Sequence, residues 1–119
     1  LVTGSGGLGY GTGSGGTVTQ ATSKSTSVTL NKPSGQITMN NAALASNAVV
    51  AFPLSCSQIA AGDVVAVSLK SGHATAGTYQ VWSEASTAGA VTICVRNISG
   101  SSLSEALVLN FVVIKGATS

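Results

Sequence analysis

The chain is short of charge. Five Lys or Arg and three Asp or Glu are spread over 119 residues, 7% of the total, against the roughly 25% usual in soluble domains. They are Lys24, Lys32, Lys70, Arg96 and Lys115 against Asp63, Glu84 and Glu105. A net charge of +2 without a cluster makes no basic patch. That argues against nucleic acid as a partner, because phosphate binding needs grouped Lys and Arg. It also leaves little repulsion between copies, which suits a protein that lives in an assembly. Long apolar runs are missing too. The longest, ALVLNFVVIK, contains Asn110 and falls well short of the roughly 18 residues of a membrane span, so no membrane partner is expected. No signal-peptide pattern opens the chain. It begins without Met, as a processed or upstream-truncated product would.

Cysteine is too sparse for a disulfide framework or a metal site. Cys56 and Cys94 read as two separate thiols, buried or half-buried, with a single bridge between them as the alternative. The one histidine, His73, sits in the loop SGHATAG, and no G-x-S-x-G elbow or other local motif singles out a nucleophile for it. Asp63 follows a glycine where a turn meets a strand. Glu84 falls late in an alternating segment, and Glu105 just before the last one. A glycosidase needs two carboxylates flanking one bond, and nothing in the sequence brings these two together. The reading is therefore of a protein that is not an enzyme, with no catalytic residues, cofactor or metal. Asn97-Ile98-Ser99 is a glycosylation sequon, relevant only in a secretory pathway.

Small residues fill the space left. Ala, Gly, Ser and Thr make up more than half of the chain, and glycine alone is half of its first sixteen residues, LVTGSGGLGYGTGSGG. Gly4–Gly9 and Gly11–Gly16 each match G-x-G-x-x-G. That fingerprint holds a pyrophosphate only between a strand and a helix. There is no room for a strand before Gly4, and the Thr-, Ser- and Val-rich TVTQATSKSTSVTL that follows favours extended chain. Residues 1–20 read instead as an extended, Gly-rich arm. Its apolar anchors, Leu1, Val2, Leu8 and Tyr10, would offset the entropy of ordering only by burial against a partner.

Past the arm the apolar period is two. Val28 and Leu30, Ile37 and Met39, Val50 to Leu54, Val65 to Leu69, Tyr79 and Val81, Val91 to Val95, and Leu107 to Val113 each alternate with other residues. Alternation puts one set of side chains on one sheet face. Turn signals such as Asn31-Lys32-Pro33-Ser34-Gly35 and Ser99-Gly100-Ser101 separate the segments. The stretch Asn40–Asn47 is left as a loop or a short helical turn. The expectation is one all-β domain over residues 21–119, an antiparallel β-sandwich or jelly-roll-like fold of about seven strands. Val108, Val112 and Ile114 fall on the second face of the last strand. Either that strand is central and covered on both sides, or it packs against a neighbouring subunit, the reading favoured here. Trp82 has the opposite parity to Tyr79 and Val81. It suits a sugar-stacking platform, an interface anchor or packing against the arm.

The phrases TVTQATSKST, TLNKPSGQITMN and SLSEA with its hydrophobic strand resemble a short β-rich module that recurs in virion proteins of tailed bacteriophages and in prophages. The resemblance spans about residues 15–116. It implies a non-enzymatic structural protein of the virion, assembled in the host cytoplasm, with the major capsid protein or other virion proteins as partners and copies of itself as neighbours. It implies free cysteines, because that compartment is reducing. Two placements follow. One is a capsid decoration or cement protein that clings to the shell and braces it. The other is a receptor-binding or adaptor domain of a tail fibre or spike, with the glycine stretch as its hinge.

Overall fold

The computed structural model describes residues 7–119, so Leu1 and Val2 lie outside the described residues. Those described form eight strands and no helix. In chain order they are β1 Thr17–Thr19, β2 Val28–Thr29, β3 Ser34–Thr38, β4 Val49–Ser55, β5 Val64–Ser71, β6 Tyr79–Thr87, β7 Ala90–Asn97 and β8 Val108–Ile114. All seven alternating segments are strands. The eighth, β1, lies in the stretch read as arm, and three residues are too few to display a period. Asn40–Asn47 is a loop whose Leu44 forms an isolated antiparallel bridge with Leu103.

The strands make two four-stranded sheets, ordered β1-β3-β8-β5 and β2-β4-β7-β6. Pairing is antiparallel except at two edges, where β1 runs parallel to β3 and β2 parallel to β4. The exception follows from the path. From β1 to β4 the chain changes sheet and direction at each loop, so every second strand points the same way and lies in the same sheet. The alternating apolar residues meet between the sheets. Val91, Ile93 and Val95 of β7 face Ile37 of β3 and Leu109, Phe111 and Val113 of β8 in one buried cluster, with Phe52 and Leu54 of β4. One flank is closed where β5 adjoins β6, with the Ser83 hydroxyl donating to the Val65 carbonyl.

The strand directions gather four loops, 20–27, 39–48, 72–78 and 98–107, at one end. Polar side chains organise that end from within. The Gln20 side chain is 2% exposed. Its amide nitrogen donates to the carbonyls of Lys24 at 2.9 Å and Thr26 at 2.8 Å, and its oxygen accepts from the Asn40 amide at 3.0 Å. Lys24, also buried, points its ammonium at the carbonyl of Asn40 and, at 2.6 Å, at that of Glu105. Burial pushes this ammonium below the ordinary lysine range, and the Glu105 carboxylate opposes the shift. Asn97 is fully buried, donates to the carbonyls of Leu44 and Ser101 at 2.8 Å, and accepts from the Ser99 amide and hydroxyl. Every group of that amide is engaged, so the sequon is a loop clamp and not a glycan acceptor in the folded chain. Gly72, at φ +90°, lies so close to the 98–107 loop that a Cβ there would sit 2.2 Å from the Ala106 carbonyl.

The opposite end is tied by Asp63. Its carboxylate accepts from Lys115 Nζ at 2.5 Å, the Ala60 amide at 2.8 Å and the Gly116 amide at 3.3 Å. Those hydrogen bonds, Lys115 first, hold its carboxyl below the usual carboxylate range. The exposed Lys115 leaves the pair open to solvent on one side.

Two outcomes are expected. Gln20→Leu keeps the bulk but strands two carbonyls and an amide, at about 1–3 kcal/mol for each buried group left unmade. The thermal midpoint should fall by about 10 °C or more, read by circular dichroism. Asp63 has a depressed folded-state pKa, so its contribution is present above about pH 4, the unfolded value, and is lost as pH falls through the folded one. Asp63→Asn should therefore lower the midpoint at pH 7, and the gap to the parent should close as both are titrated into acid.

Candidate docking faces

The described part of the stretch read as an arm is fastened to the rest of the chain. The Tyr10 hydroxyl donates to the Val113 carbonyl. The reason lies in Pro33. The Val113 amide donates to the Pro33 carbonyl at 2.7 Å, and proline has no N–H to return, so the tyrosine fills the gap in the ladder. Lys32 Nζ donates to the Gly13 carbonyl at 3.3 Å and the Gln36 amide to the Gly16 carbonyl at 3.0 Å. Gly35 permits the last approach, since a Cβ there would stand 2.6 Å from that Gly16 oxygen. Leu8, at 80% exposure, is the one anchor of the described arm that remains open.

The sheet β1-β3-β8-β5 turns outward a face whose one charge is the exposed Lys70, near the loop end of β5. β8 is central in it, with Val108 and Val112 half-buried. Ile114 pairs with Val64 at the end of the sheet, and both are more than half exposed. Beside them the outward positions carry Thr17, Gln36, Ala66, Ser68 and Asn110, short side chains that leave the pleat uncovered. Two shallow troughs result. One of about 450 Å³ runs between the Gly15-Gly16 segment and Asn110, the other of about 170 Å³ between Ala66 and Val112.

The sheet β2-β4-β7-β6 turns the other way and has a different surface. Register places Gln80, Arg96 and Val49 in one outward row, Trp82, Cys94 and Ala51 in the next, and Glu84, Thr92 and Pro53 in the third. Trp82 therefore lies on the opposite side of the molecule from Val108, Val112 and Ile114. Its indole N–H reaches the Glu84 carboxylate at 3.3 Å. Cys94 points outward by parity yet is only 3% exposed. Trp82 is its partner in register on β6, and Arg96 stands two residues along β7 on the same face. Burial, then the Glu84 carboxylate, push that thiol above its ordinary range, which keeps it protonated and unreactive. Cys56 is buried elsewhere, its thiol donating to the Lys32 carbonyl at 3.1 Å, and neither cysteine is bonded to the other.

The remaining titratable groups serve the loops. Glu105 accepts from the Tyr79 hydroxyl at 2.8 Å and the Ala74 amide at 2.7 Å, close to Lys24. Burial, then the Glu105 bond, push the Tyr79 hydroxyl well above its usual range. Glu84 stands on the outer face of the second sheet and shares no partner with Glu105. His73 is half-buried, and its Nδ1 has no partner among the described residues. No group of three His, Cys, Asp or Glu among the described residues is placed to hold a metal ion. Sequence reasoning missed Gln20 and Lys24 altogether, because two polar residues in a Ser- and Thr-rich segment carry no local sign of burial.

If the indole and guanidinium shield Cys94, native alkylation should label neither cysteine quickly in the parent chain. Trp82→Ala should speed labelling of Cys94 by at least about tenfold, with Cys56 unchanged, as resolved by peptide mass spectrometry. No protein-family model, curated protein or solved structure matches the chain.

Proposed function

We propose that the chain is a non-enzymatic structural protein of a bacteriophage virion, a capsid decoration protein that binds the shell through the outer face of β1-β3-β8-β5. The observation that carries this reading is the chemistry of that face. Across β1, β3 and β8 and along β5 from Val64 to Ser68 it has no charged residue, and its one charge is the exposed Lys70 near the loop end of β5. A broad surface of hydroxyls, amides and small apolar groups packs against a repeating lattice without desolvating ions, which is the costly step in burying charge. Val64 and Ile114 give it an apolar corner, and Leu8 extends the contact beyond the sheet.

The resemblance to phage virion modules supports the same reading, and its phrases have a physical sense. TVTQATSKST holds Gln20 and Lys24, TLNKPSGQITMN holds β3 and Asn40, and SLSEA holds Glu105. These are the residues that fasten the loop end, so the likeness is one of scaffold. The crossing of the chain from sheet to sheet at almost every loop is compatible with a jelly-roll-like path, an architecture that viral capsid domains use. The partner is the major capsid protein, and further copies of the chain are its neighbours on the shell.

The test is made on particles whose genome encodes the chain. Imaging of purified virions should place it on the shell, and virions lacking it should break at lower temperature. Thr17→Arg with Ser68→Arg puts two cations on the face. It should abolish attachment to stripped particles and leave the thermal midpoint of the free chain within about 2 °C, as surface substitutions do. Absence of the chain from particles, or attachment untouched by the two arginines, overturns the reading.

A further inference from the structure

We propose that the Trp82 face is a binding platform for a neutral saccharide. The chain has a single Trp, a single Arg and three carboxylates, and it places the Trp, the Arg and one carboxylate within three adjoining rows of one sheet face. The half-buried Trp82 is in register with Cys94, with Ala51 as the small residue in the same row. An aromatic ring seated on small neighbours offers its free face to the apolar C–H side of a pyranose ring.

The groups around it fit hydroxyls on both counts. Arg96 is half-buried and has no hydrogen-bond or ion-pair partner among the described residues, where the one salt bridge is Lys115–Asp63. Its planar fork of donors is therefore free for a pair of neighbouring oxygens. Two rows away Glu84 offers carboxylate acceptors, and Gln80 and Thr92 can do either. A bare anion would be opposed by Glu84 and a bare cation by Arg96. A polyol, which donates and accepts at once, satisfies both. A protein partner fits less well, since anchors of such interfaces sit among apolar neighbours that exclude water, and the indole here is ringed by four polar side chains. The face points away from the surface assigned to the shell, but the inference rests on its own residues and holds whether or not the chain belongs to a virion.

Because Trp82 is the only Trp, its fluorescence reports on this face alone. The full chain is screened on a printed array of neutral and carboxylated bacterial surface oligosaccharides, and hits are titrated by fluorescence. At least one neutral oligosaccharide should bind, shift the emission and slow alkylation of Cys94. Trp82→Ala should weaken binding by about tenfold or more, and Arg96→Ala and Glu84→Gln by roughly three- to tenfold each, the loss of one or two hydrogen bonds. Trp82→Phe keeps a ring on the sheet and should retain part of the affinity, which guards against misfolding of the alanine variant. Binding to no oligosaccharide, binding indifferent to Trp82→Ala, or a preference for carboxylated probes that survives Glu84→Gln overturns the proposal. Attachment to particles should be the same for parent and Trp82→Phe. Its loss in that variant would put the shell on this face and overturn the proposal by that route.

Discussion

One amide organises the loop end of this molecule. Gln20 satisfies two carbonyls and an amide that no strand reaches, and in doing so shapes the turn that carries Lys24 inward. The lysine then joins the β3–β4 loop to the β7–β8 loop through their carbonyls. A chain with so few large side chains has little apolar surface to spend on its loops. Buried hydrogen bonds to backbone replace it, and they are specific where small-residue packing is permissive. The core strands above depend on this seam, because Leu107 enters the buried cluster directly from the loop that Lys24 and Glu105 hold.

The strands were legible because each has one wet face and one dry face. Val91, Ile93 and Val95 are at most 2% exposed, while Thr92 and Arg96 between and beyond them are not buried. Cys94 points outward by parity and is buried all the same, as its reading as a buried or half-buried thiol expects. Its partner in register is a tryptophan on the neighbouring strand β6, twelve residues earlier in the chain. β1 escaped notice for lack of length, and the parallel pairing of β1 and β2 is a property of the path, which no local window contains. Tyr10 had the composition of a partner anchor. Its real neighbour is set by a proline more than twenty residues on, through a missing N–H. The candidate surface residues were named in the sequence, but their division between two opposite faces needed the sheet order.

That division matters for any role in an assembly. The face of β1-β3-β8-β5 is troughed and has Lys70 as its one charge, and the face of β2-β4-β7-β6 is polar around one aromatic ring. A domain with two unlike outer faces can meet a lattice with one and leave the other to solvent. The buried, clamped Asn97 removes one alternative for the loop end, since its amide has no free group for modification.

The brevity of the edge strands has a consequence for crowding. A nearly uncharged β-protein held at high local concentration is prone to join edge to edge into fibres, because open strand edges template one another and no net charge resists. Here the exposed edges on one flank are β1 and β2, of three and two residues. On the other flank β5 and β6 lean on each other through Ser83 and Val65. The first flank offers only short templates, and on the second the two longer edges turn toward each other. In a chain with little charge to repel its copies, the shape of its edges is what limits edge-to-edge joining.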